Sequence, residues 1–238
     1  MISVFDIGVL SKKYPNPLWN NLVGGYTADN TTNDVLLINN ATLFNGATYN
    51  TGKVNNGFSF DGVDDYVFFG NNLHDSLHQG DYSISVWMYK TNTVTGAAYS
   101  SLYVGPSNRS YGALLSGTTA SGAAYTYSLW ENNTRMVDVS FGILNLNTWY
   151  HMVITRSVLN NTYKAYLNGN LITTVNSSYN PIYHAGYTNR VMQGARQFLA
   201  IAQYLQGQLD ETYFFNSELT QNQILELYNN GNGIQYPN

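Results

Sequence analysis

Short runs in which apolar and polar residues alternate with a period of two recur along most of the chain, separated by clusters of Gly, Asn, Asp and Ser. That rhythm predicts antiparallel β-structure. The clearest run is YSISVWMYK at 82–90: Tyr82, Ile84, Val86 and Met88 share one face, and Ser83, Ser85, Trp87 and Tyr89 the other. One face is expected in the core, the second against solvent or another sheet. The runs at 149–157 and 163–167 also alternate, and the latter ends in Asn168-Gly169, the dipeptide favoured in two-residue hairpin turns, with 171–175 pairing back. Further strands are expected at 22–26, 57–60, 65–69, 99–104, 111–115, 125–130, 136–141, 198–202 and 208–215. So many short strands predict an all-β, two-sheet antiparallel sandwich. Only 219–228 has helical spacing, with Leu219, Ile224, Leu225 and Tyr228 on one face and Thr220 as the cap. Residues 1–21, with Pro15, Pro17 and Trp19, are expected to form an irregular extension and possible attachment arm before a single domain at 22–238.

Composition narrows the function. Ten Lys and Arg against fourteen Asp and Glu, net charge -4, leave no basic face for nucleic acid. No apolar run is long enough for a transmembrane helix, so membrane insertion is not expected. The absence of Cys removes disulfides, thiolate chemistry and sulfur-ligated zinc. The first ten residues carry Asp6, and Lys12 and Lys13 follow rather than precede the apolar run, which makes a poor signal peptide. The chain is crowded with Asn, Tyr, Gly, Ser and Thr, a neutral hydrogen-bonding and aromatic palette suited to sugar binding or particle assembly. AT-rich codon bias accounts for such a palette equally well. The Asn-x-Ser/Thr sequons at Asn30, Asn40, Asn108, Asn132, Asn160 and Asn176 are read as accidental in this composition.

Five blocks then stand in one order: GKVNNGFSFDGVDDYV from Gly52, DYSISVWMY from Asp81, NTWYHMVITR from Asn147, YKAYLNG from Tyr163 and GQLDETYFFNSELTQNQILELY from Gly207. Together they resemble the concanavalin A-like, laminin-G-like jelly-roll family. The resemblance implies two curved sheets packed face to face, with the terminal helix closing one end. The family hosts lectins, carbohydrate-binding modules, adhesion modules, glycoside hydrolases and virion proteins, so function must be argued from sites.

A glycosidase needs two carboxylates roughly 5–9 Å apart. Glu131, Glu211, Glu218 and Glu226 form none of the spaced acidic motifs of catalytic relatives, and the four His, at 74, 78, 151 and 184, stand in no motif, so no enzyme is expected. Asp61, Asp64 and Asp65 match a structural turn of the family. The resemblance also implies a structural Ca²⁺ between an early loop and the acidic position opening the last strand, with Asp210 at the late position and Asp29 or Asp34 supplying the early ligands. The alternative is that Asp210 caps a turn or pairs with a cation. For sugar, the segment YTYSLWENNTR at 125–135 gathers Tyr125, Tyr127, Trp130, Asn132 and Arg135, with Tyr179, Tyr183 and Tyr187 as a second cluster; core packing or a subunit interface is the competing role for each aromatic. The segment 176–197 lacks alternation and is expected to be a long functional loop. The resulting expectation is a non-enzymatic lectin-like adhesion module on a bacteriophage virion surface or otherwise extracellular, whose partners are carbohydrate or cell-surface polysaccharide, other virion proteins or copies of itself. The rivals are a purely structural virion protein, or a module of a bacterial glycosidase or adhesin.

Overall fold

The structure is a computed structural model and describes residues 16–70, 72–77, 80–91, 98–103, 111–115, 124–131, 134–180, 190–197, 201–202 and 204–237. In chain order, a 3-10 turn at Pro17–Asn21 leads into β1 (Leu22–Tyr26), β2 (Thr42–Phe44), β3 (Thr48–Thr51), β4 (Asn56–Asp61), β5 (Tyr66–Phe68) and the one-turn α1 (Asn72–Asp75). Then come β6 (Tyr82–Lys90), β7 (Ala98–Tyr103), β8 (Tyr111–Leu115), β9 (Ala124–Glu131), β10 (Thr134–Ile143), β11 (Trp149–Ser157), β12 (Thr162–Leu167) and β13 (Asn170–Asn176). The chain closes with β14 (Arg190–Gln193), β15 (Arg196–Gln197), β16 (Ile201–Ala202), β17 (Gln206–Phe215) and α2 (Gln221–Tyr228).

The strands form an eight-stranded sheet in the order β13-β12-β11-β6-β17-β4-β3, with β1 also paired to β17, and a seven-stranded sheet in the order β10-β9-β8-β7-β14-β5-β2. All pairings are antiparallel. This is the predicted sandwich. Its alternation is explained by what each face meets: Tyr82, Ile84, Val86 and Met88 of β6 join Phe58, Phe60, Leu209 and Phe214 from the same sheet in the core, opposite Tyr125, Tyr127, Leu129 and Val139 from the other. The β12–β13 connection is the expected hairpin, with Asn168 at φ 49° and Gly169 at φ 78°, both in the left-handed region that a tight turn between twisted strands requires.

The second face of β6 meets neither solvent nor the other sheet over most of its length. Ser83, Ser85 and Trp87 are buried. Above that face a second apolar cluster gathers Leu18, Trp19, Leu22, Val153, Tyr166, Tyr213, Phe215, Leu219, Ile224 and Leu227. Helix α2 therefore lies over the outer face of the eight-stranded sheet rather than closing one end of the sandwich. Thr220 caps it in a capping box with Gln223, as its sequence suggests. The helix face is rotated from the expected one: Ile224 and Leu227 are buried, whereas Leu225 is 46% exposed. The cluster also takes in part of the segment read as an extension. Leu18 and Trp19 are 1% exposed, and the Trp19 ring lies 5.0 Å from that of Tyr213.

The sequence expectation of a loop over 176–197 is corrected by β14, which lies between β7 and β5 in the seven-stranded sheet. Val191, Met192 and Gln193 are all buried, so a strand covered on both faces shows no alternation to read.

Candidate functional site

Residues 125–135 divide by strand face. Along β9, Tyr125, Tyr127 and Leu129 turn into the core, and Thr126, Ser128 and Trp130 point to the opposite face of the sheet. The expectation that Tyr125 and Tyr127 stack on sugar is corrected: they are 5% and 3% exposed, and the Tyr127 hydroxyl is 2.7 Å from that of Tyr82. Burial holds the Tyr127 phenol well above its ordinary pKa. Asn132 lies outside the described residues, as do Tyr183 and Tyr187. Tyr179 packs against the core, and its carbonyl accepts the Tyr163 hydroxyl.

Trp130 and Arg135 come together. They are direct cross-strand partners, and the guanidinium lies 4.8 Å from the indole centroid. A bulge after Arg135 leaves Met136 without a cross-strand partner, so Val137 turns inward and Asp138 returns to the face that carries Arg135. Arg135 Nη1 then donates to Asp138 Oδ2 at 3.0 Å, and the Ser128 hydroxyl also bonds Asp138. Sequence reasoning missed Ser128 and Asp138; their cross-strand pairing was hidden by the bulge. The ion pair is half exposed, with side chains 49% and 36% accessible, and contributes at most about 1 kcal/mol to stability. The backbone register sets Arg190, Tyr103 and Tyr111 in the same cross-strand row as Trp130 and Arg135.

The carboxylates assigned to calcium do not form one donor set. Asp34 is fully buried and braces its own loop, accepting backbone N–H groups of Gly25 and Leu36 on Oδ1 and of Ile38 and Asn39 on Oδ2. Asp210 caps the β3–β4 turn: Oδ2 accepts the N–H groups of Lys53 at 2.8 Å and Val54 at 2.9 Å, and Oδ1 that of Glu211 at 2.8 Å. Asp29 accepts from the Asn56 N–H and from the Asn55 and Gln235 side chains. With these oxygens engaged by N–H donors, a Ca²⁺ held jointly by Asp29, Asp34 and Asp210 does not fit the residues present. Asp210 is the turn cap. Among the described residues the acidic side chains that do converge are Asp61, Asp64 and Asp65. There Asp65 accepts the N–H groups of Gly46 and Asp61, and Asp61 accepts that of Val63, which makes this cluster the turn brace expected from the sequence.

Two arrangements resemble catalytic chemistry and lack access. Burial raises Asp210 to about 7, with the Asp29 carboxylate adding to it, and raises Glu211 to about 9, with the Asp210 and Asp29 carboxylates adding to it. They are 0% and 1% exposed, so they offer a substrate no surface. Ser85 Oγ lies 2.8 Å from His151 Nε2, a nucleophile–base spacing, but both residues are 1% exposed. Burial lowers the His151 pKa to about 3, which leaves a neutral ring of little basicity.

The antiparallel two-sheet fold is a jelly-roll of the lectin type. The family description "Concanavalin A-like lectin/glucanases superfamily" matches residues 61–225, and the chain belongs to that superfamily. Among solved structures, domain 4 of AbnA, a GH43 extracellular arabinanase from Geobacillus stearothermophilus in complex with arabinotriose, superposes with a TM-score of 0.71 at 16% identity, covering 87% of this chain and 97% of that one. The binding domain of botulinum neurotoxin DC in complex with SialylT gives a TM-score of 0.63 at 17% identity over 93% of this chain. This chain spans 53% of that one. No curated protein sequence matches the chain.

Proposed function

We propose that the protein is a non-enzymatic carbohydrate-binding adhesion module whose ligand lies on the outer face of the seven-stranded sheet, at Trp130 and Arg135. The observation that carries this reading is the pairing of an indole with a half-exposed guanidinium on a neighbouring strand, oriented by Asp138. An indole supplies an apolar platform for a sugar ring. Asp138 engages one donor of the guanidinium, whose fork of five N–H groups suits vicinal hydroxyls. The backbone register places Tyr103 and Tyr111 in the same cross-strand row as Trp130. The arabinotriose and SialylT complexes of the structural relatives support a saccharide as ligand class. The finer assignment, a surface component of a bacteriophage virion, is supported by the absence of Cys and the uncharged, Tyr-rich composition.

The test is a glycan and bacterial-polysaccharide array probed with the purified chain and with Trp130→Ala and Arg135→Ala. Saturable binding lost in both variants, with unfolding curves unchanged, supports the site. Binding that survives both substitutions places the ligand elsewhere. Mass spectrometry of purified particles from the source tests the virion assignment, which fails if the chain is absent from them.

A further inference from the structure

The outer face of the eight-stranded sheet is covered by α2 and the second apolar cluster at one end only. At the other end a cross-strand row runs Thr48, Ser59, Gln208, Tyr89 and Trp149 over β3, β4, β17, β6 and β11. None of these five side chains is buried. Beside the row is an open groove of about 250 Å³, lined by Asn50, Ser59, Asp61, Thr91, Gln206 and Gln208 above the buried Phe60 and Gly207. The Tyr89 and Trp149 rings lie 5.4 Å apart at 41° and stand next to Gln208 in the row.

We propose that this groove is a second carbohydrate site, specific for neutral oligosaccharides and separate from the Trp130 face on the opposite sheet. Three features select that ligand class. Carboxamides and hydroxyls both donate and accept, which matches sugar hydroxyls that do the same. The Tyr89–Trp149 pair gives a partly exposed aromatic platform beside the groove, where the apolar face of a ring can lie. Among the described residues no Lys or Arg lines the groove, and Asp61 adds negative charge, so uronates, sialosides and phosphates are disfavoured. The volume falls just below the roughly 300–1,000 Å³ of drug-sized pockets, room for one sugar ring in the groove with the next over the aromatic pair. With sites on opposite sheets, one chain can crosslink a polysaccharide.

The experiment is a titration of the ¹⁵N-labelled full chain with arabinotriose, cellotriose, maltotriose and, as the anionic control, trigalacturonate, followed at the four indole N–H signals. Trp19 and Trp87 are buried, so the informative reporters are Trp149 for this groove and Trp130 for the other face. The expected result is a saturable shift of the Trp149 signal with at least one neutral trisaccharide. Gln208→Ala and the more exposed Gln206→Ala should each weaken that response about tenfold or more. Trp130→Ala should leave it unchanged. The proposal is overturned if no neutral trisaccharide moves the Trp149 signal at millimolar concentration, if both glutamine variants bind as tightly as the parent, or if trigalacturonate binds better than the neutral set. A shift confined to Trp130 overturns this groove and supports the other site, so the two readings fail separately.

Discussion

Acidification should destabilise the protein through His151 in a way that one substitution can isolate. The ring is 1% exposed, its Nε2 is bonded to Ser85 Oγ, and it packs in a three-ring cluster with Trp87 and Tyr228, whose centroids lie 5.1 Å and 6.1 Å away. Burial lowers its pKa from 6.5 to about 3. Between those values the unfolded chain binds a proton that the folded chain refuses, so stability is lost as pH falls below about 6.5, at about 1.4 kcal/mol per unit. From pH 6.5 to 4.5 the loss is about 2.3 kcal/mol, a large share of the roughly 5–15 kcal/mol that holds a domain folded. The raised pKa values of Asp210 and Glu211 act in the opposite direction. The folded state keeps their protons to higher pH than the unfolded state does, so they favour folding as pH falls. Absolute pH profiles therefore mix the two contributions, and the difference from His151→Phe, which keeps an aromatic ring in the stack, separates them. Urea unfolding followed by tryptophan fluorescence at pH 7.5, 6.5, 5.5 and 4.5 should show the parent's advantage over the variant shrinking by about 3 kcal/mol towards acid. A gap that stays constant across that range would refute the assignment of a neutral, proton-refusing imidazole.

Other consequences are open to direct measurement. Trp19→Ala should cost about 3–5 kcal/mol in urea unfolding, because it empties a site enclosed by Tyr213, Phe215 and Tyr236, while saccharide binding at Trp130 persists. Asp210→Ala removes the acceptor for the Lys53 and Val54 N–H groups; those two amides should lose hydrogen-exchange protection and stability should drop by about 2–4 kcal/mol. Tyr127→Phe leaves the Tyr82 hydroxyl without its partner and should cost about 1–3 kcal/mol with no change in glycan affinity; reduced affinity at unchanged stability would restore Tyr127 to the binding surface. Adding a calcium chelator should leave the melting temperature unchanged, since Asp34 and Asp210 are held by backbone donors; a fall of several degrees would show an ion in their neighbourhood.

What sequence could show follows from what each face of a strand meets. Strand β6 and the β12–β13 hairpin announce themselves, because alternation and Asn168-Gly169 are local signals. Strand β14 does not: Val191, Met192 and Gln193 are all buried, and its pairing with β5 and β7 is a long-range fact. The same limit applies to the site. Period-two reading groups Tyr125, Tyr127 and Leu129 on one face and Trp130 on the other, but only the sandwich shows that the first face is the core. Arg135 and Asp138 share a face because of a bulge, which breaks the period that sequence reading depends on. Asp34 and Asp210 look alike as acidic residues near turns. The N–H donors that saturate them come from backbone whose path composition does not reveal.

Strand β17 has a consequence for how the chain reaches this state. It lies against β6 along one edge, and along the other it changes partner, from β4 over residues 206–209 to β1 over residues 212–215. The register shift between Asp210 and Tyr213 sits where the change occurs. This inner strand of the larger sheet is thus synthesised after all three strands it pairs with. Until it emerges, β1, β4 and β6 expose unpaired, largely apolar edges, which are templates for pairing with other chains. Contacts of such sequence separation also close slowly. Biosynthesis therefore passes through a window, before residue 206 is available, in which the nascent chain depends on chaperones or dilution to stay monomeric.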